Sequence, residues 1–280
     1  MNLYFLLALR RSPSPNPILV ETFAILRKRG FNIEVGMGQD LLLQLGHMAV
    51  TRDLYVLKSH TALWLSLAEI IHARGGRLLN PFPACLAVQN KIVAVERMRA
   101  GGVPTPRSWV TGNPNLLRAI VEEHPVIIKP YNGGRGLGIR IVQRSGELAT
   151  SRAPSEPVVV QEYIRHDDEV KVYVIGEEVF GIRMRSGDGR RWSCPISDEV
   201  REIALRCGRL FGLRLYGLDV IESAEGPLVV DINYFPSYRD VPNAAALLAD
   251  FIEGYALAAA STRLRRKTGG IGTVIRASAQ

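Results

Sequence analysis

Three oxygen-bearing side chains fall close together late in the sequence: Asp219 in Gly217-Leu218-Asp219, then Asp231 and Asn233 in Val230-Asp231-Ile232-Asn233. Residues 231 and 233 are two apart in an apolar, strand-like run, so a strand points both side chains to one face. The intervening Ser223-Ala224-Glu225-Gly226-Pro227 is rich in turn formers. Were it a five-residue hairpin connection, Asp219 would stand directly opposite Asp231. Two carboxylates side by side repel unless something positive lies between them. A hard cation, magnesium above all, takes carboxylate and amide oxygens and keeps positions open for phosphate. The competing reading is an exposed hairpin with incidental polar residues. The apolar neighbours Val229, Val230 and Ile232 argue against it.

A second group surrounds a glycine-rich turn. Val126-Ile127-Ile128-Lys129-Pro130 leads into Gly133, Gly134, Gly136 and Gly138, and the chain then continues as Ile139-Arg140-Ile141-Val142. The spacing partly matches a dinucleotide fingerprint, but that motif must open a helix, and here the turn runs into a β-like segment. A hairpin whose backbone N–H groups fold over phosphates fits better, with Lys129 reaching the same anions. Gln161-Glu162-Tyr163-Ile164 closes an apolar strand and could offer a carboxylate to a ribose and backbone groups to an adenine edge, or be a plain strand terminus. Lys91 opens a short helix, where a lysine meets either phosphate or solvent. Arg183 and Arg185 share one strand face. With Lys58 and Lys171 they could form a cationic wall for an anionic acceptor, or be surface charge.

The elements that must carry these residues read as α/β followed by α+β. Residues 1–85 alternate strands (Leu3–Leu9, Phe31–Val35, Asp53–Lys58, Arg77–Leu79) with helices (Ile18–Arg29, Thr61–Arg74), the pattern of a parallel sheet covered by helices. A central subdomain, 86–165, holds the Asn90–Ala100 helix, strands on either side of the glycine-rich lid, and Val158–Tyr163. A C-terminal subdomain, 166–260, holds the strands Lys171–Ile175 and Val179–Arg185, the helix Ser197–Phe211, the Tyr216–Asn233 hairpin and the helix Ala244–Ala260. Residues 261–280 read as a basic, flexible tail.

Composition narrows the class. The chain has 280 residues, is 47% hydrophobic and 22% charged, and carries a net charge of +8, which suits a polyanionic ligand. Its three cysteines form no C-x-x-C pair, so a reducing cytoplasm fits better than a disulfide framework or a zinc site. The apolar Leu3–Leu9 run is short and its arginines follow it, unlike a signal peptide, and no stretch is long enough to span a membrane. Aromatic residues are only 7% and scattered, which argues against a nucleic-acid-binding sheet.

In this order, the segments resemble the ATP-grasp superfamily over roughly residues 50–255. The resemblance implies that Lys91, Lys129, Gly134, Gly136, Gln161, Glu162, Tyr163 and Ile164 hold ATP, and that Asp219, Asp231 and Asn233 hold Mg2+. Two branches compete. RimK-type glutamate ligases are similar in Leu79-Asn80-Pro81 leading to Lys91, in the Gly133–Gly138 loop and in Gly217-Leu218-Asp219, but usually carry Glu-x-Asn where this chain has Asp231-Ile232-Asn233. Inositol trisphosphate/tetrakisphosphate kinases are similar in Asp231–Tyr238, in Lys171–Gly176 with His166 upstream, and in Asp53–Lys58. They carry a histidine in the glycine loop that Asn132–Ile139 lacks. The kinase-like branch is the closer match. It implies transfer of the γ-phosphoryl group of Mg-ATP to a small anionic acceptor such as a phosphorylated polyol. Lys58 and His166 would then bind substrate, and Lys171, Arg183 and Arg185 would serve the transfer. The alternative is a RimK-like carboxylate–amine ligase acting through an acyl phosphate.

Overall fold

The computed structural model describes residues 1–8, 16–38, 41–132, 138–148 and 156–268, with side chains described as far as residue 258. Gly134 and Gly136, the rest of segment 133–137 and residues 269–280 lie outside the described residues.

The first unit begins β1 (Asn2–Leu7), α1 (Pro17–Lys28), β2 (Asn32–Met37), β3 (Leu54–Leu57), α2 (Ala62–Ala73) and β4 (Leu78–Leu79), giving a parallel sheet in the order β2-β1-β3-β4. Helices α3 (Phe82–Gln89) and α4 (Lys91–Ala100) follow. α3 is not foreseen from the sequence: its all-apolar face, with Ala84, Cys85 and Val88 buried, has no helical amphipathicity to read. Asn90 separates the two helices, and its side chain accepts from the N–H groups of Ile92 and Val93 at 3.0 and 3.3 Å, which caps α4.

The central unit is an antiparallel sheet in the order β5-β8-β6-β7, from β5 (Ser108–Thr111), β6 (Val126–Pro130), β7 (Arg140–Val142) and β8 (Val158–Glu162), with the short helix α5 (Arg118–Glu123) before β6. The last unit is a five-stranded antiparallel sheet, β11-β10-β9-β12-β13. Its strands are β9 (Asp168–Ile175), β10 (Glu178–Arg185), β11 (Arg191–Cys194), β12 (Leu215–Ser223) and β13 (Gly226–Tyr234). The helix α6 (Asp198–Phe211) buries Val200, Ile203, Ala204, Cys207 and Phe211, one helical stripe. Ser197 caps its start, and Gly212 ends it in the left-handed region at φ 74°. α7 (Ala244–Thr268) runs through Arg263–Lys267, where the sequence predicts a tail. Arg, Leu and Lys are good helix formers, so the basic run does not stop the helix.

One hydrophobic core joins the first and last units, from Leu3, Phe5 and Trp64 to Tyr216, Ile232 and Ile252, while Leu117, Val126, Ile128, Val142, Leu148 and Val160 form a separate core in the central unit. Parallel packing of α1 on α7 ties the chain's halves together. Thr22 lies against the Ala245 carbonyl, and Arg29 pairs with Asp250 and Glu253 at 2.7 Å. No helix of the described residues is long and apolar enough to cross a membrane.

Candidate active site

A cleft of about 290 Å³ opens between the central sheet and the five-stranded sheet. From the central side come Ile127, Lys129, Ile139, Ile141 and the run Gln161–Ile164; from the other come Glu169, Asp219, Ile221, Val230 and Asp231, and Lys91 and His166 line it as well. Two antiparallel sheets thus place apolar side chains and charged groups around one space.

Asp219 and Asp231 are register partners, as the spacing predicts, but the connection differs from the five-residue one. Ser223 pairs with Gly226 across a two-residue turn, and that register alone would set Asp219 opposite Val230. A bulge between Asp219 and Val220 inserts Val230 as the extra residue of β13, which brings Asp231 opposite Asp219 instead. The bulge also turns the Val230 carbonyl toward Lys129, whose Nζ donates to it at 2.9 Å. Downstream, Asn233 donates from Nδ2 to Asp231 Oδ2 at 3.3 Å, so the amide stands on the carboxylate face, as expected from the period of two.

Each carboxylate already has an ammonium partner. Lys91 donates to Asp231. Lys171, the register partner of Asp219 on β9, lies 3.0 Å from Asp219 Oδ1 and 2.9 Å from Glu169 Oε1. Burial, with Asp231 and Glu169 adding to it, pushes the Asp219 carboxyl above the ordinary aspartate range, against the pull of Lys171. Burial works against the Lys171 ammonium, but Asp219 and Glu169 outweigh it and hold its pKa above the usual lysine value. Lys129 differs: burial dominates and lowers its pKa, only partly opposed by Asp231. Its Nζ donates to Gln161 Oε1 at 2.6 Å and to the Val230 carbonyl. An ammonium has three N–H donors, so one remains for a further oxygen. Gln161, 1% exposed, is held by Ser108 Oγ at 3.1 Å and so fixes Lys129 in turn.

Glu162 is placed differently from the ribose contact expected of it. Its carboxylate lies 3.0 Å from Arg107 Nε, and this bond to Arg107 holds its pKa below the ordinary glutamate value. Its N–H is used by the Arg107 carbonyl. Glu169 also lines the cleft and is not singled out in the sequence. The signal was available: Glu169 and Lys171 are two apart on one strand and therefore share the face of Asp219. His166 donates through Nδ1 to the Ile164 carbonyl at 2.8 Å, folding the chain back beside the cleft.

The expected cationic wall is not assembled. Ile175 pairs with Glu178 across the Gly176-Glu177 turn, so Lys171 pairs with Ile182, while Arg183 pairs with Val170 and Arg185 with Asp168. Side chains alternate across the pleat. Arg183 and Arg185 consequently point to the face opposite Lys171, where Arg183 bonds Asp168 at 3.0 Å and Glu222 at 2.7 Å and Arg185 lies over the Trp192 ring. Lys58 is directed at backbone: its Nζ donates to the carbonyls of Phe235 at 2.9 Å and Pro236 at 2.5 Å.

The donor set suits a hard cation held jointly with phosphate. Among the described residues no group of three His, Cys, Asp or Glu side chains forms a metal cage by itself. Magnesium is usually held by one or two carboxylates with the remaining positions given to water and phosphate oxygens. Asp219, Asp231 and the Asn233 amide supply that kind of set, beside Lys91 and Lys129.

Fold and site together define an ATP-grasp enzyme. A RimK-like ATP-grasp domain model matches residues 88–247, more than half the chain, and the protein belongs to that family. It is similar to a probable alpha-L-glutamate ligase of Haemophilus influenzae, 24% identical over 217 residues, covering 69% of this chain and 72% of the relative. It is also similar to beta-citrylglutamate synthase B of Danio rerio, 26% identical over 226 residues, covering 72% of this chain and 56% of the relative. In structure it resembles a RimK domain ATP-grasp protein from Sphaerobacter thermophilus, with a TM-score of 0.74, 17% identity, and coverage of 90% and 99% of the two chains. The ATP-grasp ligase PsnB, solved with a minimal precursor, Mg and ADP, superposes with a TM-score of 0.68 at 22% identity, covering 90% of this chain and 96% of that one.

Proposed function

We propose that the protein is an ATP-dependent carboxylate–amine ligase. The observation that carries this reading is the Asp219–Asp231 pair, facing a cleft that also receives Lys91 and Lys129. Relatives named as ligases and synthases support it over the kinase branch. So does the placement, among the described residues, of side chains that a phosphorylated polyol would need: Arg183 and Arg185 lie on the far face, and Lys58 is bonded to carbonyls. In this reading Asp219, Asp231 and Asn233 hold magnesium, which when bound neutralises phosphate charge. Lys91 and Lys129 orient the ATP phosphates, and Ile127, Ile141 and Ile221 bury the base beside Gln161–Ile164.

The reaction needs alignment more than covalent help. A carboxylate oxygen of the acceptor bonds to the γ-phosphorus as the bond to ADP breaks. An amine then attacks the acyl carbon, phosphate leaves with the carbon–oxygen bond, and the amine gives up a proton. Lys91 and Lys171 each hold one carboxylate oxygen, which leaves the second oxygen of Asp231 and Asp219 for a cation, and Lys91 could turn from Asp231 to phosphate.

The test is a screen of amino-acid and dicarboxylate pairs in which ADP and inorganic phosphate are measured separately. The expected result is ADP release that depends on an amine, with one phosphate freed per ADP. ADP release without phosphate when a phosphorylated polyol is supplied would restore the kinase reading.

A further inference from the structure

Lys58 is the residue whose position departs most from its expected role. It follows β3, and its N–H continues that strand's ladder by bonding the Leu6 carbonyl at 3.2 Å. Its ammonium bonds two consecutive carbonyls, those of Phe235 and Pro236, and stands 4.4 Å from the Phe235 ring centroid. The neighbouring Ser59 carbonyl accepts from Tyr234 Oη at 2.6 Å. Two adjacent residues of the first unit therefore grip residues 234–236, directly after Asn233.

That turn needs holding. Phe235 and Tyr238 lie at φ 38° and 52°, with Asp240 and Asn243 at 67° and 54°. For a residue with a Cβ, the left-handed region costs on the order of 1–2 kcal/mol each, and aromatic residues there persist only when the surroundings over-determine them. Phe235 and Tyr238 are buried. The Phe235 N–H donates to the Leu215 carbonyl at 2.7 Å and Tyr238 Oη to the Val174 carbonyl at 3.0 Å. The Phe235 and Pro236 carbonyls, turned away from any ladder by this geometry, take the Lys58 ammonium. Gly217, two residues before Asp219, gives the room: a Cβ there would come within 3.2 Å of Pro236 Cγ.

From this arrangement we infer that Lys58 is a positioning residue for the metal site, not a contact to the acceptor. By fixing the strained turn at 235–236 it holds the end of β13, and with it the Asn233 amide, against Asp231. The inference rests on the ligase reading only in so far as Asp231 and Asn233 bind a divalent cation.

The experiment uses the full chain with Lys58→Met and Lys58→Arg and needs no acceptor. Amide hydrogen exchange in the absence of nucleotide and metal reads the turn. Binding of Mn2+ in the presence of a non-hydrolysable ATP analogue, followed by electron paramagnetic resonance, reads the site, and thermal unfolding controls for global loss. Lys58→Met should speed exchange at 233–238 and weaken Mn2+ roughly tenfold or more, the usual effect of losing a group that orients a ligand. Metal-free nucleotide binding should be unchanged. Lys58→Arg, which keeps donors for both carbonyls, should recover most of the Mn2+ affinity. The inference is overturned if Lys58→Met leaves exchange and Mn2+ affinity at wild-type values, whether or not turnover falls. If the wild type binds no Mn2+ with the analogue, the metal reading of Asp231 and Asn233 fails, and the inference fails with it even where exchange at 233–238 changes.

Discussion

Asp219 and Asp231 face each other across β12 and β13 because a bulge at Val230 shifts their register by one residue. The same bulge gives Lys129 its second acceptor, so the carboxylate pair and the buried lysine are set by one irregularity in one strand. Without a ligand the pair carries repulsion and a desolvation cost, which Lys91 and Lys171 offset only in part. Asp219→Asn and Asp231→Asn should each lower ADP formation on the order of a hundredfold or more. The ligand-free fold of Asp219→Asn should be no less stable than wild type, because the substitution removes charge from a site that burial disfavours. Steady-state kinetics and thermal unfolding measure the two effects separately. A variant with ordinary turnover would remove that residue from the site.

Lys129 gives a pH signature. Its folded pKa is below the ordinary value of 10.5, so as pH rises through the interval between the two, the folded protein releases this proton while the unfolded chain still holds it. Stability contributed through this group therefore rises with pH in that interval, by up to about 1.4 kcal/mol per unit. Lys129→Met lacks that slope. Denaturant unfolding of both proteins across the alkaline range should show their difference shifting steadily in favour of wild type as pH rises. A constant difference would mean that Lys129 is not perturbed by burial.

Much of this site is legible in the sequence because chemistry and period coincide. Asp231 and Asn233 need only the alternation of a strand, and Lys129 and Gln161 lie on apolar strands that must be buried. Arg183 and Arg185 fail for a reason that was also readable. Given a two-residue turn at Gly176-Glu177, where Gly176 adopts φ 66°, counting back pairs Lys171 with Ile182 and excludes both arginines from its face. Nothing in the sequence marks the bulge at Val230, since a bulge depends on the partner strand as much as on its own residues. The Lys58 contact spans 177 residues of chain, and no local pattern encodes it.

Asn80 shows that a motif residue can serve the fold. It is fully buried, donates Nδ2 to the Leu215 carbonyl at 2.7 Å, and accepts through Oδ1 from the N–H groups of Arg214 and Leu215 at 2.8 and 2.9 Å. It thereby fastens the end of β4 to the start of β12, the strand that carries Asp219. Asn80→Ala would leave the buried Leu215 N–H and the half-buried Arg214 N–H without this partner, while the Leu215 carbonyl keeps the Phe235 N–H, and should cost about 3 kcal/mol. The urea midpoint should fall with little change in slope. A shift of less than about 1 kcal/mol would show that these backbone groups find other partners.

Glu162 and Glu169 separate two ways of meeting a nucleotide. Glu162 belongs to the motif, but its carboxylate is bonded to Arg107, a side chain that is itself 63% exposed. Its contribution to the cleft is therefore through backbone and position, and Glu162→Gln, which keeps the shape and can still accept from Arg107, should change the KM for ATP less than about threefold, within the range of a surface pair. Glu169 is 19% exposed, lines the cleft, and shares Lys171 with Asp219. Glu169→Gln removes the negative charge and turns one acceptor oxygen into a donor, which weakens its hold on a bound hydroxyl and on Lys171. It should raise the KM for ATP by about tenfold, the loss of one charge-assisted hydrogen bond, while kcat at saturating ATP falls less. The two variants measured side by side decide between the roles. If Glu162→Gln has the larger effect on KM, the carboxylate at 162 meets the nucleotide after all, and Arg107 must swing away when it binds.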